Sequence, residues 1–208
     1  MKKLIALLFS IFFLYSPSVF ADDISNFSIE GMSIGDSLLD YMTEDEILEA
    51  IELTINLYTH LKEPNKYAEV YLFKDFPVYD KVAVFVKNNS ANQYLVDKNE
   101  KFTILQIRGL ITYIEDFDSC IEKRNEIAEI LSSMFPDTQK TEKVFAHSSD
   151  PSRDSIIDGV YLNFDSGDVI SAHCSNFEEI FRKKHNHTEG ISVAVRTTEI
   201  MSWMRNKK

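Results

Sequence analysis

The 208-residue sequence contains little glycine and proline, with 6 and 5 residues, and only 2 cysteines. This scarcity excludes collagen-like and low-complexity chains, and the hydrophobic fraction of 44% is typical of a globular protein. Basic residues are also scarce, because 22 Lys and Arg residues stand against 33 Asp and Glu residues. Nonspecific binding to nucleic acid or to anionic lipid requires basic patches, so we expect neither kind of partner.

After the N-terminal segment, the sequence has no apolar run of the length that spans a bilayer, which is about 20 residues. The N-terminal segment itself has two lysines followed by an apolar run over residues 4–15. This pattern predicts a secretory signal peptide over residues 1–21, cleaved between Ala21 and Asp22. We therefore expect a periplasmic or secreted protein in which residues 22–208 form a single domain without a membrane span.

The two cysteines, Cys120 and Cys174, are expected to form a disulfide, because cysteines in exported chains usually pair. Cys120 opens a helical segment in which Ile127 and Leu131 mark the apolar side, so its sulfur faces the packed side. Cys174 alternates with Ile170 on a predicted strand and also faces inward. The bridge would attach that helix to that strand.

Apolar periodicity divides the chain into helical and extended segments. Thr43-x-x-Glu46 is a capping box that starts an amphipathic helix, which Pro64 ends. The run over residues 102–113 has the composition of a strand and is long enough to bend at Gly109.

The predicted order is helices, three strands, helix, three strands, helix, strand and helix, and the fourth strand run covers residues 143–146. Strands in runs with few helical crossovers indicate an α+β fold with a mainly antiparallel sheet and packed helices. The same order allows two degenerate helix-plus-three-strand halves, over residues 28–114 and 115–208.

The stretch Gly35-Asp36-Ser37-Leu38 resembles the first block of the GDSL, or SGNH, family of esterases and lipases. The resemblance implies Ser37 as a nucleophile that a histidine and an acid activate. The partner blocks of that family, G-x-N-D and D-x-x-H, have no counterpart in the sequence. Asp36 and Ser37 are also residue types that cap helices, and this is the role that we expect for them.

A second resemblance covers residues 28–50. Ile29-x-Gly31-Met32-Ser33, followed by a short amphipathic turn and a helix, is similar to the start of BamE/SmpA-like helix–sheet domains of bacterial envelope proteins. In that family the Gly-Met-Ser stretch begins a helix and has no catalytic role. The resemblance implies a protein-interaction module in the cell envelope.

His185 and His187 are the closest pair of potential metal ligands. Two histidines one residue apart could both reach a metal from an extended loop. The surrounding sequence is polar and lies between a helix end and a strand, so we expect a solvated loop, with a metal site as the alternative. No cofactor is expected.

Export, a disulfide and the lack of a coherent catalytic set predict a non-enzymatic periplasmic or secreted protein. We expect it to bind an envelope protein or a small ligand through a face or an edge of the sheet. The alternative prediction is a GDSL-like serine esterase that uses Ser37.

Overall fold

The computed structural model describes residues 23–55, 61, 66–72, 75–88 and 100–206. The predicted signal peptide, its cleavage site between Ala21 and Asp22, and the helix end at Pro64 lie outside these residues. Within the described ranges, none of the helices combines the length and the apolar character needed to cross a bilayer.

The described residues form helices and strands in the order that the sequence pattern predicts, preceded by a short hairpin that the pattern did not reveal. The strands are β1 (Ser28–Ile29), β2 (Met32–Ser33), β3 (Tyr67–Leu72), β4 (Lys81–Lys87), β5 (Ile104–Thr112), β6 (Gln139–Ala146), β7 (Ile156–Asn163), β8 (Val169–Asn176) and β9 (Gly190–Arg196). The α-helices are α1 (Glu44–Thr54), α2 (Phe117–Met134), α3 (Glu179–His185) and α4 (Thr198–Arg205).

Strands β3 to β9 form one antiparallel sheet with the order β3-β4-β5-β9-β8-β7-β6. The prediction of an α+β fold with a mainly antiparallel sheet is therefore confirmed. Each run of three consecutive strands is a meander, and β9 pairs with the last strand of each run, β5 and β8. The two predicted helix-plus-three-strand segments thus contribute to a single sheet.

One face of the sheet packs against helices. Helix α1 lies on β3, and α2 lies on β7, β8 and β9. The alternate strand residues that face these helices are almost all aliphatic, as their period of two requires for a buried face. Representative fully buried members are Val70, Val84, Ile107, Val193 and Ile170.

The disulfide crosses this helix-covered face. The Sγ atoms of Cys120 in α2 and Cys174 in β8 are 2.07 Å apart, and both residues are buried. The predicted pairing is therefore confirmed. It joins the first turn of α2 to strand β8. The two cysteines are 54 positions apart in the sequence.

The opposite face, called here the second face, is covered at one end by α4. Ile200 from this helix packs in an apolar cluster with Tyr67, Phe85 and Leu105 from the sheet. The rings of Tyr67 and Trp203 meet edge to face, with centroids 4.8 Å apart. This cluster closes the second face beside the end of β9, where Arg196 emerges from the strand.

Of the two expected capping residues, Ser37 is the N-cap of the 3-10 turn over Leu38–Asp40, and Asp36 precedes it. Strand pairing of β4 with β5 continues through Gly109, and its register shift lies between Phe85 and Val86. A Cβ atom at Gly109 would lie 2.4 Å from the ring of Tyr79, so this glycine admits a neighbouring aromatic ring.

The capping box at the start of α1 gives a test of local stability. The hydroxyl of Thr43 accepts from the backbone N–H of Glu46, whose carboxylate accepts from the backbone N–H of Thr43. We expect Thr43→Ala to lower the free energy of unfolding by about 1 kcal/mol, because the backbone N–H of Glu46 loses its acceptor and the Glu46 carboxylate loses the Thr43 hydroxyl. Thr43→Ser keeps the hydroxyl and should remain close to the wild type in urea denaturation. Equal losses for both variants would contradict the capping explanation.

Candidate functional site

The second face carries polar side chains in the middle of the sheet. A sheet face that packs against helices would be apolar at these positions. Directly paired residues of antiparallel strands project on the same face, so the strand register defines rows across the sheet. One row runs from Tyr71 through Ala83, Arg108, Ala194 and Ser171 to Tyr161. The next row runs from Lys81 through Leu110, Ser192 and His173 to Gly159.

These rows form the floor of a cavity of about 530 Å³. The cavity is lined by small residues, among them Ala83 and Ser192, and by larger side chains. Its described lining includes three cationic side chains, Lys81, Arg108 and Arg196, and no aspartate or glutamate. In a chain with a formal net charge of −11, this is a local reversal of sign. A concave site of one charge sign concentrates ions of the opposite sign.

Arg196 is a cation of this cavity that has no carboxylate partner among the described residues, and Lys81 is another, since its Nζ donates only to Thr188 Oγ1, over 3.3 Å. Its Nε donates to Gln106 Oε1 over 3.1 Å, and its Nη1 donates to Ser171 Oγ over 3.1 Å. Both acceptors are neutral, and among the described residues no carboxylate lies within ion-pair distance of this guanidinium. Burial, together with the charge of Arg108, lowers the pKa of Arg196 to about 10, so it stays protonated at neutral pH. A guanidinium has five donor positions, and those not used here are available to a ligand.

Arg108 lies in the same part of the cavity but is paired. Its Nη2 donates to Glu69 Oε1 over 3.3 Å and to Tyr71 Oη over 3.2 Å. The Glu69 side chain is 1% exposed, and burial raises its pKa while the Arg108 charge opposes the rise. The Glu69–Arg108 pair therefore contributes little net charge, and Arg196 supplies the excess.

Two buried polar atoms on the cavity floor have no hydrogen-bond partner among the described residues. They are His173 Nδ1 and Ser192 Oγ, which belong to directly paired residues on β8 and β9. Buried polar atoms in folded proteins are nearly always hydrogen-bonded, so such a pair on a cavity floor indicates a place for a polar ligand or water. Ligand oxygens near Arg196 could accept from the serine hydroxyl.

His173 is held in its neutral form. Burial and the charges of Arg196 and Arg108 lower the pKa of His173 to about 3. At neutral pH its imidazole therefore adds a hydrogen-bond donor and an acceptor but no charge. An imidazole with so low a pKa is also a weak base, because a general base works best when its pKa lies near the working pH.

Gly159 makes room for Tyr161 above the floor. A Cβ atom at Gly159 would lie 2.8 Å from Tyr161 Oη and 3.0 Å from His173 Cβ. The glycine thus lets the tyrosine hydroxyl approach the imidazole across the strands. Burial raises the pKa of Tyr161, with the charge of Arg196 opposing, so the hydroxyl remains a neutral donor.

At the far end of the cavity lies a group of rings, called here the ring cluster, formed by His147, Phe177, Phe181, His185 and His187. Phe177 and His187 are stacked, with centroids 4.7 Å apart and an interplanar angle of 17°. The centroid of His147 is 5.5 Å from that of Phe177 and 5.5 Å from that of His187. Burial lowers the pKa of both His147 and His187. This end of the cavity is lined mainly by aromatic rings, and Lys81 reaches it, with its Nζ donating to Thr188 Oγ1 over 3.3 Å.

The predicted metal pair, His185 and His187, belongs to this ring cluster. Their ring centroids are 5.8 Å apart and the rings are nearly parallel, at 26°. Across the described part of the chain, no group of three or more His, Cys, Asp or Glu side chains is placed to hold a metal ion. The pair lies beside phenylalanine rings, where it contributes to an aromatic wall.

Ser37, the nucleophile that the esterase resemblance implies, lies away from the cavity lining. It is 3% exposed, and its hydroxyl donates to the carbonyl of Lys101 over 2.8 Å and accepts from the backbone N–H of Leu39. Asp36 accepts from the backbone N–H of Ser33 and from the hydroxyl of Tyr41. The Gly-Asp-Ser-Leu stretch therefore attaches the N-terminal hairpin region to the start of β5.

Met32 and Ser33, which the envelope-domain resemblance places at a helix start, form strand β2 and pair with β1. This hairpin packs into the helix-covered core through Met32 and Ile29. The first α-helix begins later, at Glu44.

Four residues that line the cavity are not predicted from the sequence: Arg108, Tyr161, His173 and Arg196. The sequence pattern that points to these residues is a charged residue inside, or directly after, an apolar run that forms a strand. Ser192, Ala194 and Arg196 alternate with three buried aliphatic residues on β9, which is the pattern of a strand with one polar face.

Compared with protein-family models, with curated proteins and with solved structures, the chain matches none of them.

Proposed function

We propose that this protein is an exported binding protein that holds a small anionic ligand in the cavity on the second face of its sheet. The observation that carries the proposal is the uncompensated charge of Arg196 in a cavity without a lining carboxylate. The cavity has the size of small-molecule sites, which are commonly about 300–1,000 Å³. A concave polar site of this kind favours a small ligand over an envelope protein as the partner.

Two features support binding without catalysis. The imidazole closest to both guanidinium groups, that of His173, is too weak a base to remove a proton from water or an alcohol at neutral pH. Ser37 is engaged with backbone groups at the start of β5 and does not line the cavity. These arrangements favour recognition of an anion over covalent chemistry on it.

Export is supported by the N-terminal apolar segment and by the disulfide. A buried intramolecular bridge between Cys120 and Cys174 is stable in oxidising compartments such as the periplasm and the extracellular space. We therefore place the protein in one of these compartments, where its ligand would be a small extracytoplasmic anion.

The test is a titration of the disulfide-bonded protein with propanoate and with propanamide, its uncharged analogue of similar shape, by isothermal calorimetry at low salt. We expect propanoate to bind, with an affinity that falls as sodium chloride is added, because screening weakens ionic contacts. Propanamide should bind much more weakly. If propanoate, phosphate and sulfate all fail to bind, or if the amide binds as well as propanoate, the proposal is wrong.

A further inference from the structure

The cavity has a cationic end and an aromatic end, and the strand geometry sets the distance between them. The guanidinium of Arg196 bonds to Ser171 Oγ, which places the cation at the level of Ser171 on β8. Ser175, four residues further along the strand, also lines the cavity, and Phe177 follows it. With about 3.3 Å per residue, the two levels are about 13 Å apart.

The aromatic end presents the flat surfaces of several rings. Phe177, His147 and His187 all line the cavity, and the first and last of these are stacked. Phe145, on the edge strand β6, also lines the cavity and is 46% exposed. Such rings bind another planar ring through offset-stacked or edge-to-face contacts, beyond the effect of buried area alone.

The charge balance at the cationic end selects a single negative charge. Glu69 neutralises Arg108, and Arg196 has no carboxylate partner among the described residues. One free guanidinium matches one carboxylate, which it can bind through two parallel hydrogen bonds. A phosphate dianion would retain an unbalanced charge in this partly buried place.

We propose that the ligand is a monocarboxylate joined to a planar aromatic ring, with its carboxylate at Arg196 and its ring against Phe177 and His187. The inference rests on the proposed function and adds the class of ligand. A short linker between the carboxylate and the ring is part of the proposal, because side chains from both ends reach into the separation of about 13 Å.

The test compares matched ligands by calorimetry with the disulfide-bonded protein. Phenylpropanoate and phenylpentanoate should bind more tightly than benzoate, because benzoate cannot contact both ends. Phenylpropanoate should bind about fivefold more tightly than cyclohexylpropanoate, which has a similar volume but no planar ring. It should also bind more tightly than phenylphosphonate at a pH where the phosphonate is a dianion.

A variant identifies the place of the ring. Phe177→Leu should remove the roughly fivefold preference for the phenyl over the cyclohexyl ligand, measured as the ratio of the two affinities in the same variant. If wild-type protein binds both ring types equally, or prefers the phosphonate, the inference is overturned although the proposed function stands. If neither the carboxylates nor the phosphonate binds, the proposed function itself fails.

Glu69→Gln tests the charge balance separately. Removing this carboxylate removes one negative charge beside Arg108, so the affinity for phenylphosphonate should rise about tenfold relative to that for phenylpropanoate. An unchanged ratio in a folded variant would contradict the charge argument. If the variant does not fold, the comparison of the same two ligands with wild-type protein still decides between a monoanion and a dianion.

Discussion

Arg196→Gln should lower the affinity for phenylpropanoate about 100-fold, measured by calorimetry at low salt. Removing one member of a desolvated charge pair costs about 2–5 kcal/mol of binding free energy, and 1.4 kcal/mol corresponds to tenfold. The glutamine side chain can still donate a hydrogen bond toward Gln106 or Ser171, so the sheet should retain its register. The main change is therefore the loss of a positive charge from the cavity.

Two comparison variants separate the charge of Arg196 from its shape. Lys81 also lines the cavity but is exposed, so Lys81→Gln should change the affinity less than about threefold. Arg196→Lys keeps the charge but loses the planar fork, and an intermediate loss is expected. If Arg196→Gln binds as tightly as the wild type while Lys81→Gln does not, the anion site lies at the rim and the assignment of Arg196 is incorrect.

The disulfide should contribute the largest single increment of stability. Replacing Cys120 and Cys174 together with alanine should lower the free energy of unfolding by about 4 kcal/mol, because the bridge closes a separation of 54 residues in the unfolded chain. For a domain of this size, the melting temperature should fall by about 10 °C. Urea denaturation monitored by circular dichroism measures both the wild type and the variant.

The double variant also shows whether the disulfide affects the cavity. The bridge lies on the helix-covered face and the cavity on the second face, so phenylpropanoate affinity should be nearly unchanged below the melting transition. Reducing agent should destabilise the wild type and have no effect on the variant. Equal stability of the two proteins without reductant would show that the bridge does not restrict the unfolded chain as expected.

The order of helices and strands and the disulfide could be predicted because each depends on local periodicity. The inward positions of Cys120 and Cys174 followed from neighbouring apolar residues on a helix and on a strand. Strand β6 was anticipated only over residues 143–146, although it begins at Gln139. Its first half is polar and exposed at the sheet edge, so it lacks the hydrophobic alternation that marks strands with a buried face.

The cavity could not be predicted, because its parts meet only through the strand order. Arg108 and Arg196 lie in β5 and β9, which are neighbours since β9 inserts between the two meanders. No local pattern specifies this insertion, and pairing register decides which polar residues share a row. A lone arginine within or after an apolar strand is ordinarily interpreted as a solvent-facing residue, so the cationic site did not stand out.

The central position of β9 has a consequence for the order of folding. Within the sheet, the inner edges of β5 and β8 both take their hydrogen bonds from β9, the last strand in the sequence. During synthesis or translocation from the N-terminus, the sheet cannot be completed until residue 196 has emerged, so two open strand edges persist until then. Arg196 lies at the end of this final strand, so the cavity is completed only in the last step of sheet assembly. The same strand therefore completes both the fold and the cavity.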